Sequence, residues 1–363
     1  MDGPRAPTAN EWPLVIDFLD QNLRPGQSWS IQNEYPLALG PGNLENVRVI
    51  VRDNQVLSHA VIKYLLIKTP IGFFKVAAIG SVVTSQEHRG QGLSKAVLDS
   101  CLQRAKDSGC DFAILWTNLF DFYRKLGFEL AGLELSAIIE NPIEAPMGTL
   151  KILETEHISP EAIYRLYAQH SVGTIRTVED VRKNIRIPGS RIYTAWDEHN
   201  QLQAYAVEGK GVDLKGYVHE WGGGVSKLLP LFNHIRARLN SKLTVLVPAH
   251  SQNLLSQLEQ QGVFIHRGYL GMIKILHFSN LIAKVQRSAR AKGMDDLVIE
   301  ETPGGLKIGT RNNTVVIQAE RDWPRLFFGP FQSQDITGLD AHSIAVMDQL
   351  FPIPMWVWGW DSV

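Results

Sequence analysis

Two glycines between an arginine and a serine give this chain its most specific chemical feature. The stretch Arg89-Gly90-Gln91-Gly92-Leu93-Ser94 follows an apolar run at 73–84 and opens directly into an amphipathic pattern at 93–108. The first turn of a helix leaves backbone N–H groups without intrahelical partners, and the helix dipole adds partial positive charge there. Gly90 and Gly92 let that backbone approach a bulky anion closely, and Arg89 contributes a fixed positive charge. Such an arrangement binds a pyrophosphate. A P-loop would show Gly-Lys-Ser/Thr, which is missing here. A glycine pair ahead of a helix also serves plain turn geometry. Against that simpler reading stand the long apolar run before the loop and the segment Tyr123-Arg124-Lys125-Leu126-Gly127-Phe128 beyond it.

The elements that must position this loop are legible as patterns. Residues 10–23 read as an amphipathic helix with Trp12, Val15, Ile16, Leu19 and Leu23 on one stripe. Three apolar runs at 47–52, 56–68 and 73–84 are joined by Asp53-Asn54 and Thr69-Pro70-Ile71-Gly72, which predicts an antiparallel meander. A helix over 93–108 places Val97, Cys101, Leu102 and Ala105 inward and ends at Gly109. Residues 111–117 predict a buried strand, 119–125 a helix, and 128–139 one returning strand.

Prolines and a glycine at 141–148 mark a boundary. The next segment repeats the same order of elements: helices at 160–170 and 178–185, strands at 191–196, 203–208 and 216–220, a helix at 227–239, a strand at 243–248, a helix at 253–261 and a strand at 265–276. A third segment opens with a helix at 280–291, continues with three short strand-like runs and closes in a Pro- and aromatic-rich tail. The predicted fold class is α/β (α+β). It consists of a mixed, mostly antiparallel sheet flanked by helices, duplicated, with a small α/β C-terminal domain. The expected domains are 1–145, 146–278 and 279–363.

A chain of 363 residues is too long for one ordinary core, and 44% hydrophobic with 20% charged residues is the balance of a globular protein. Lys and Arg total 36 against 37 for Asp and Glu, a near neutrality that argues against a nucleic-acid partner. Cys101 and Cys110 fall in or near one helix and imply no disulfide framework. The first residues lack a basic flank and an apolar core, and no apolar run is long enough to span a bilayer, so a cytoplasmic protein without a membrane partner is expected. The histidines show no metal-ligand spacing, and no metal is expected.

The loop resembles the signature of the GCN5-related N-acetyltransferase (GNAT) superfamily, Arg/Gln-x-x-Gly-x-Gly/Ala, through Arg89-x-x-Gly92-x-Ser94. The resemblance implies acetyl-CoA as co-substrate, with its pyrophosphate held by amides of Arg89, Gly90, Gln91, Gly92, Leu93 and Ser94. Ser94 stands in the last small position, where the signature has Gly or Ala, and its hydroxyl can donate to a phosphate. The resemblance also implies that Val82, Val83 and Thr84 pair with the pantetheine arm. The family's Tyr-x-x-x-Gly-Phe segment is matched by Tyr123, Gly127 and Phe128. Tyr123 is thereby the expected general acid for the leaving thiolate. Asn118 is nearer to Tyr123 than the family's usual asparagine.

The larger organisation resembles the enhanced-intracellular-survival type of acetyltransferase. That family has an active N-terminal unit, a degenerate second unit and a sterol-carrier-protein-like C-terminal domain. The middle segment offers His219-Glu220-Trp221-Gly222-Gly223-Gly224 before its helix, with no arginine, so no CoA is expected there. In that family the C-terminal carboxylate returns to the active site as base. Here Trp356, Trp358 and Trp360 precede the end, which suits a buried tail delivering Val363 or the Asp361 side chain. The resemblance points to a homo-oligomer as well. Further candidates are Glu34 near the acceptor, His59 and Glu87 in a proton relay, and Glu220 acting from the second unit.

The expected activity is direct transfer of an acetyl group to a primary amine, small molecule or peptide, in a ternary complex. No Ser–His or Cys–His pair supports a covalent acyl-enzyme. The alternative is a non-catalytic acyl-CoA sensor or scaffold, which the joint presence of the Arg89 loop and Tyr123 weighs against. A tandem-fold conjugating synthase would need a second nucleotide site, and the sequence offers none.

Overall fold

A computed structural model describes every residue except Met147 and Thr149. In the first segment the elements are β1 (Asp2–Arg5), α1 (Trp12–Leu23), α2 (Ile31–Glu34), β2 (Val47–Arg52), β3 (Gln55–Thr69), β4 (Gly72–Thr84), α3 (Leu93–Asp107), β5 (Phe112–Leu115), α4 (Phe120–Arg124), β6 (Glu129–Ala131) and β7 (Glu134–Ile139). The second contains β8 (Lys151–Glu154), α5 (Pro160–Tyr167), β9 (Gly173–Thr174), α6 (Val178–Asn184), β10 (Arg191–Trp196), β11 (Leu202–Lys210), β12 (Asp213–Gly223), α7 (Val225–Leu239), β13 (Leu243–Pro248), α8 (Gln252–Gln260), β14 (Phe264–Gly268) and β15 (Gly271–Ile275). The third holds α9 (Phe278–Ala291), β16 (Leu297–Thr302), β17 (Gly305–Thr310), β18 (Asn313–Ile317), α10 (Trp323–Phe328) and α11 (Ala341–Met347). The mixed α/β class with helix-flanked sheets is as expected. No helix among the described residues is long and apolar enough to cross a membrane.

The predicted meander is the scaffold of the first sheet. Alternation along its strands feeds two helical layers. Val47, Val49, Val51 and Val61 pack with Val15, Ile16 and Leu19 of α1, whereas Ile50, Leu57, Ala60 and Ile62 pack with Val97, Leu98 and Cys101 of α3. Covered on both faces, β3 is buried without a break from Val56 to Lys63, polar residues included.

Strand ownership differs from the order of the chain. The first sheet runs β1-β2-β3-β4-β5-β15-β6, with β9 beside β3, and the second runs β14-β7-β13-β12-β11-β10-β8. Each run expected to be one strand, 128–139 and 265–276, is two short strands that join different sheets. The first break falls at Gly132, whose φ of 76° suits glycine and whose added Cβ would stand 2.5 Å from the Leu270 side chain. The two units therefore exchange strands reciprocally: β15 sits between β5 and β6, and β7 between β13 and β14. Sheet membership does not follow the expected boundary at 145/146. One hydrophobic core runs through residues of all three segments, from Leu65 and Phe112 through Trp221 and Phe232 to Phe327 and Trp356.

The tail is buried in that seam. Trp356, Trp358 and Trp360 are at most 2% exposed. Gly359 lies on β12, where an added Cβ would meet the His219 ring at 2.1 Å, and four residues later Val363 lies on Gly80 of β4. Asp361 is the fastener between them. Its carboxylate accepts from Arg176 Nε at 3.0 Å and Nη2 at 2.8 Å, and Lys63 Nζ of β3 stands 3.5 Å from its other oxygen. Arg176 also forms a bidentate pair with Glu220 at 2.8 and 2.9 Å and lies 3.9 Å from the Tyr167 ring centre. Burial disfavours the Asp361 charge, but Arg176 and Lys63 outweigh it and hold the carboxyl below its ordinary range.

Asp361→Ala leaves the buried Arg176 with half its compensation. A loss of about 3 kcal/mol is expected as a shift in the urea midpoint. A loss under about 1 kcal/mol would mean that the ion pair does not hold the tail.

Candidate active site

The loop takes the form its glycines require. Gly90 (φ 78°) and Gly92 (φ 77°) are left-handed, open space surrounds both, and Gly92 is the N-cap of α3. Residues 90–94 donate no backbone N–H to another described residue, so these donors face outward around the start of the helix. The Arg89 guanidinium, exposed beside them, makes no hydrogen bond or ion pair among the described residues. The Ser94 hydroxyl is engaged: its Oγ is 2.7 Å from Thr84 Oγ1, which is 2.8 Å from Ser58 Oγ. This hydroxyl chain ties the end of β4 to the first turn of α3.

The strand leading into the loop is open on one side. β4 pairs in parallel with β5 only at Val76, Ala77 and Ala78, while it pairs with β3 as far as Thr84. From Ile79 onward its β5-side edge faces a gap. Ser81, in the left-handed region at φ 49°, marks a bulge where the β3–β4 register shifts, and the strand's end is re-aimed there. Val82, Val83 and Thr84 thus present a strand edge at a splayed mouth that ends in the loop.

Tyr123 lies in the same apolar cluster as Ile79 and Leu93, packed edge-on between Phe122 and Phe128. Burial raises its phenol to about 12. Its hydroxyl has no hydrogen-bond partner among the described residues, which leaves a protonated donor free for a ligand. Asn118 is exposed on the loop that follows β5.

A cleft of about 310 Å³ lies where the two units meet the tail. Its walls include Tyr35, Trp116, Glu134, Asp213, Trp356 and Val363. Contact between Val363 and Gly80, and the position of Trp116 just beyond β5, put this cleft at the mouth of the β4/β5 gap. No lysine or arginine lines it among the described residues. Asp213 is engaged by Arg24 at 2.8 Å and by the Tyr35 hydroxyl. Glu134 has no side-chain partner among the described residues.

Other candidates hold the fold instead. Glu34 is fully buried and accepts from Arg24 at 2.7 Å and Trp29 at 2.6 Å, so it has no free face for an acceptor. Glu220 is taken by Arg176 and by the Tyr205 hydroxyl at 3.0 Å, and Asp361 by Arg176 and Lys63. Neither is a free base. His59 is buried, pushed down to about 4, and held by the Ser81 carbonyl at 2.8 Å. Glu87 is exposed in the 3₁₀ turn before the loop and is not brought to His59. Glu134 was not singled out from the sequence: a glutamate opening an alternating strand reads as a solvated face, and the residues around it in space lie far along the chain.

The second unit lacks these features. Its parallel pair, β12 with β13, splits after Val218, and there the Trp221 indole N–H donates to the Leu246 carbonyl at 3.0 Å across the split. Gly224 caps α7 in an extended conformation, without the left-handed turn seen at Gly92.

Residues 4–131 match the acetyltransferase (GNAT) domain. No curated protein matches the chain. Among solved structures it is similar over nearly its whole length to a GCN5-related N-acetyltransferase from Anabaena variabilis, with 16% identity, a TM-score of 0.69 and 99% of each chain covered. It is also similar to a probable N-acyltransferase from Enterococcus faecalis, at 12% identity and a TM-score of 0.65, over 96% of this chain and 97% of that one. Eis1 from Mycobacterium abscessus shares 12% identity with a TM-score of 0.64 over 99% of both chains. The N-terminal part of this chain is a GNAT acetyltransferase domain, built into an architecture that these neighbours share.

Thr84→Val deletes the middle of the hydroxyl chain while keeping the volume. A loss of about 1–2 kcal/mol in denaturant unfolding is expected, because Ser58 is fully buried. Unchanged stability would show that the chain does not tie β4 to α3.

Proposed function

We propose that the protein transfers an acetyl group from acetyl-CoA to a primary amine by direct attack. The observation that carries this reading is the convergence on one mouth of three features among the described residues: the open β4 edge, the amides from Gly90 to Ser94 without a partner, and a cleft lined by carboxylates and aromatic rings with no lysine or arginine in its walls. The residues present fit acetyl-CoA. Outward N–H groups and Arg89 suit its pyrophosphate, and the free edge at Val82, Val83 and Thr84 suits an amide-bearing arm.

When bound, acetyl-CoA supplies a thioester carbonyl as the electrophile. The backbone beyond the Ser81 bulge, near Val83, polarises that carbonyl. Tyr123 holds the proton that the departing thiolate takes. The Val363 carboxylate, placed against Gly80, takes a proton from the attacking nitrogen. The aromatic and acidic lining of the cleft favours a cationic acceptor. A volume of about 310 Å³ favours a small molecule or an extended side chain.

Arg89→Glu is expected to raise the KM for acetyl-CoA roughly tenfold or more with little effect on kcat, whereas Tyr123→Phe is expected to lower kcat about 10²-fold with little effect on that KM. The opposite split, read by thiol release, would reassign both roles. Because the Tyr123 phenol is raised to about 12, it stays protonated below that pH, and no falling limb from it is expected before about pH 11. A Tyr123-dependent decline near neutral pH would remove it as the acid. A non-catalytic acyl-CoA binder would bind acetyl-CoA and release no thiol with any amine.

A further inference from the structure

An aliphatic amine reaches the cleft as an ammonium ion and must lose two protons before it is an amide nitrogen. On the reading above, the Val363 carboxylate is placed at the carbonyl end of the cleft. An ordinary α-carboxyl titrates at about 3.5 and is a weak base toward an ammonium ion of pKa about 10. A second proton acceptor is needed, and among the described residues the cleft contains one side-chain carboxylate with no hydrogen-bond or ion-pair partner.

Glu134 opens β7, the strand that the first unit places in the second sheet. Its neighbours across the sheet are Pro248 of β13 and Gly268 of β14, neither of which has a side-chain donor. The side chain is partly buried, lines the cleft with Val363 and Trp116, and makes no hydrogen bond or ion pair among the described residues. A carboxylate held in that way lacks the compensation that a buried charge ordinarily has. A cationic ligand supplies it.

We infer that Glu134 binds the acceptor ammonium and takes its first proton, which makes it a base of the transfer reaction beyond the Val363 carboxylate. The steps balance. The ammonium nitrogen gives a proton to the Glu134 carboxylate, and the freed lone pair forms the bond to the acetyl carbon. The carbon–sulfur bond breaks, and the thiolate takes the Tyr123 proton. The nitrogen's second proton goes to the Val363 carboxylate. Of the two protons so collected, one restores Tyr123 and one reaches solvent, so the turnover releases one proton, the amide and free CoA. Burial raises the Glu134 carboxyl to about 7, within the range where a base is ionised at neutral pH yet still strong. The other titratable and charged groups around the cleft are Asp213, engaged by Tyr35 and Arg24, Lys210, which stands over the Tyr35 ring and donates to Gly359 and Ser362, Tyr217, the Val363 carboxylate, His219 and, on the same face of β14, His266. Burial pushes His219 down to about 3, so it stays neutral across the relevant range.

The test uses the full chain and n-butylamine as acceptor, with kcat/KM read by thiol release from about pH 6 to about pH 10. Calorimetric binding of n-butylamine is measured in parallel. The wild type is expected to rise through about pH 7, because Glu134 must be ionised to act. Glu134→Gln is expected to fall about 10²-fold at pH 7 and to recover toward wild type near pH 10, where free amine is abundant. Its KM for acetyl-CoA stays within about twofold, which separates this effect from misfolding. Glu134→Asp, which keeps the carboxylate, regains the rising limb. A Glu134→Gln profile equal to wild type overturns the proposal.

Absence of thiol release by the wild type would count against transfer to this amine, and the binding arm then decides on Glu134 alone. Binding weakened about tenfold by Glu134→Gln supports the ammonium site. Equal binding in both proteins, or none in the wild type, overturns it.

Discussion

One buried guanidinium organises the seam of this molecule. Arg176 stands between Glu220 of β12 and Asp361 of the tail, with both carboxylates within hydrogen-bond distance. Burial works against its charge, and the two anions more than restore it, so it stays protonated. Removing one member leaves a charge far from water, which is why such a cluster fixes geometry even where its net contribution to stability is modest. What it fixes is the path of the last residues. Held at Asp361 by Arg176 and by Lys63 of β3, the tail crosses from β12 at Gly359 to β4 at Val363, two corresponding strands of the two units. Lys210 fastens the same stretch through the carbonyls of Gly359 and Ser362 at 2.8 and 2.7 Å.

The same seam is sealed by exchanged strands. With β15 in the first sheet and β7 in the second, neither sheet is complete without residues from the other segment. One consequence reaches the cleft directly: Glu134 belongs by sequence to the unit with the loop, yet β7 places it in the other sheet, facing the tail. The cleft is therefore a product of the pairing of units, and its lining comes from Tyr35, β5's exit, β7, β12, β13 and the tail. The second unit lends walls and anchors. Its own strand split is bridged by Trp221, and its helix start lacks both the left-handed glycine turn and the arginine.

The parts that were legible in the sequence are local. Gly90 and Gly92 lie in an open turn directly ahead of α3, and α3 begins where the amphipathic pattern begins, because both signals are set by a few adjacent residues. Apolar runs between short turns identified β2, β3 and β4 for the same reason. Such runs do not tell which sheet a strand joins, since an apolar strand looks alike in either, and so 128–139 and 265–276 read as single strands. Charged residues were harder still. Glu34, Glu220 and Asp361 have the chemistry of active-site groups, but Arg24 and Arg176 engage them, and those pairings lie up to 185 residues away along the chain. Glu134 is the converse case. Its significance comes from Pro248 and Gly268 offering it nothing, a fact about two strands more than a hundred residues downstream.

The central claim is that the first unit alone has the mouth for an acyl-CoA and that the tail completes it. A crystal structure of the full chain with CoA bound tests this most directly. The account predicts one CoA per chain, its pyrophosphate on the amides of residues 90–94, its arm along Val82, Val83 and Thr84, and its sulfur between the Tyr123 hydroxyl and Val363. A CoA lodged between β12 and β13, or a sulfur remote from both Tyr123 and Val363, would contradict it.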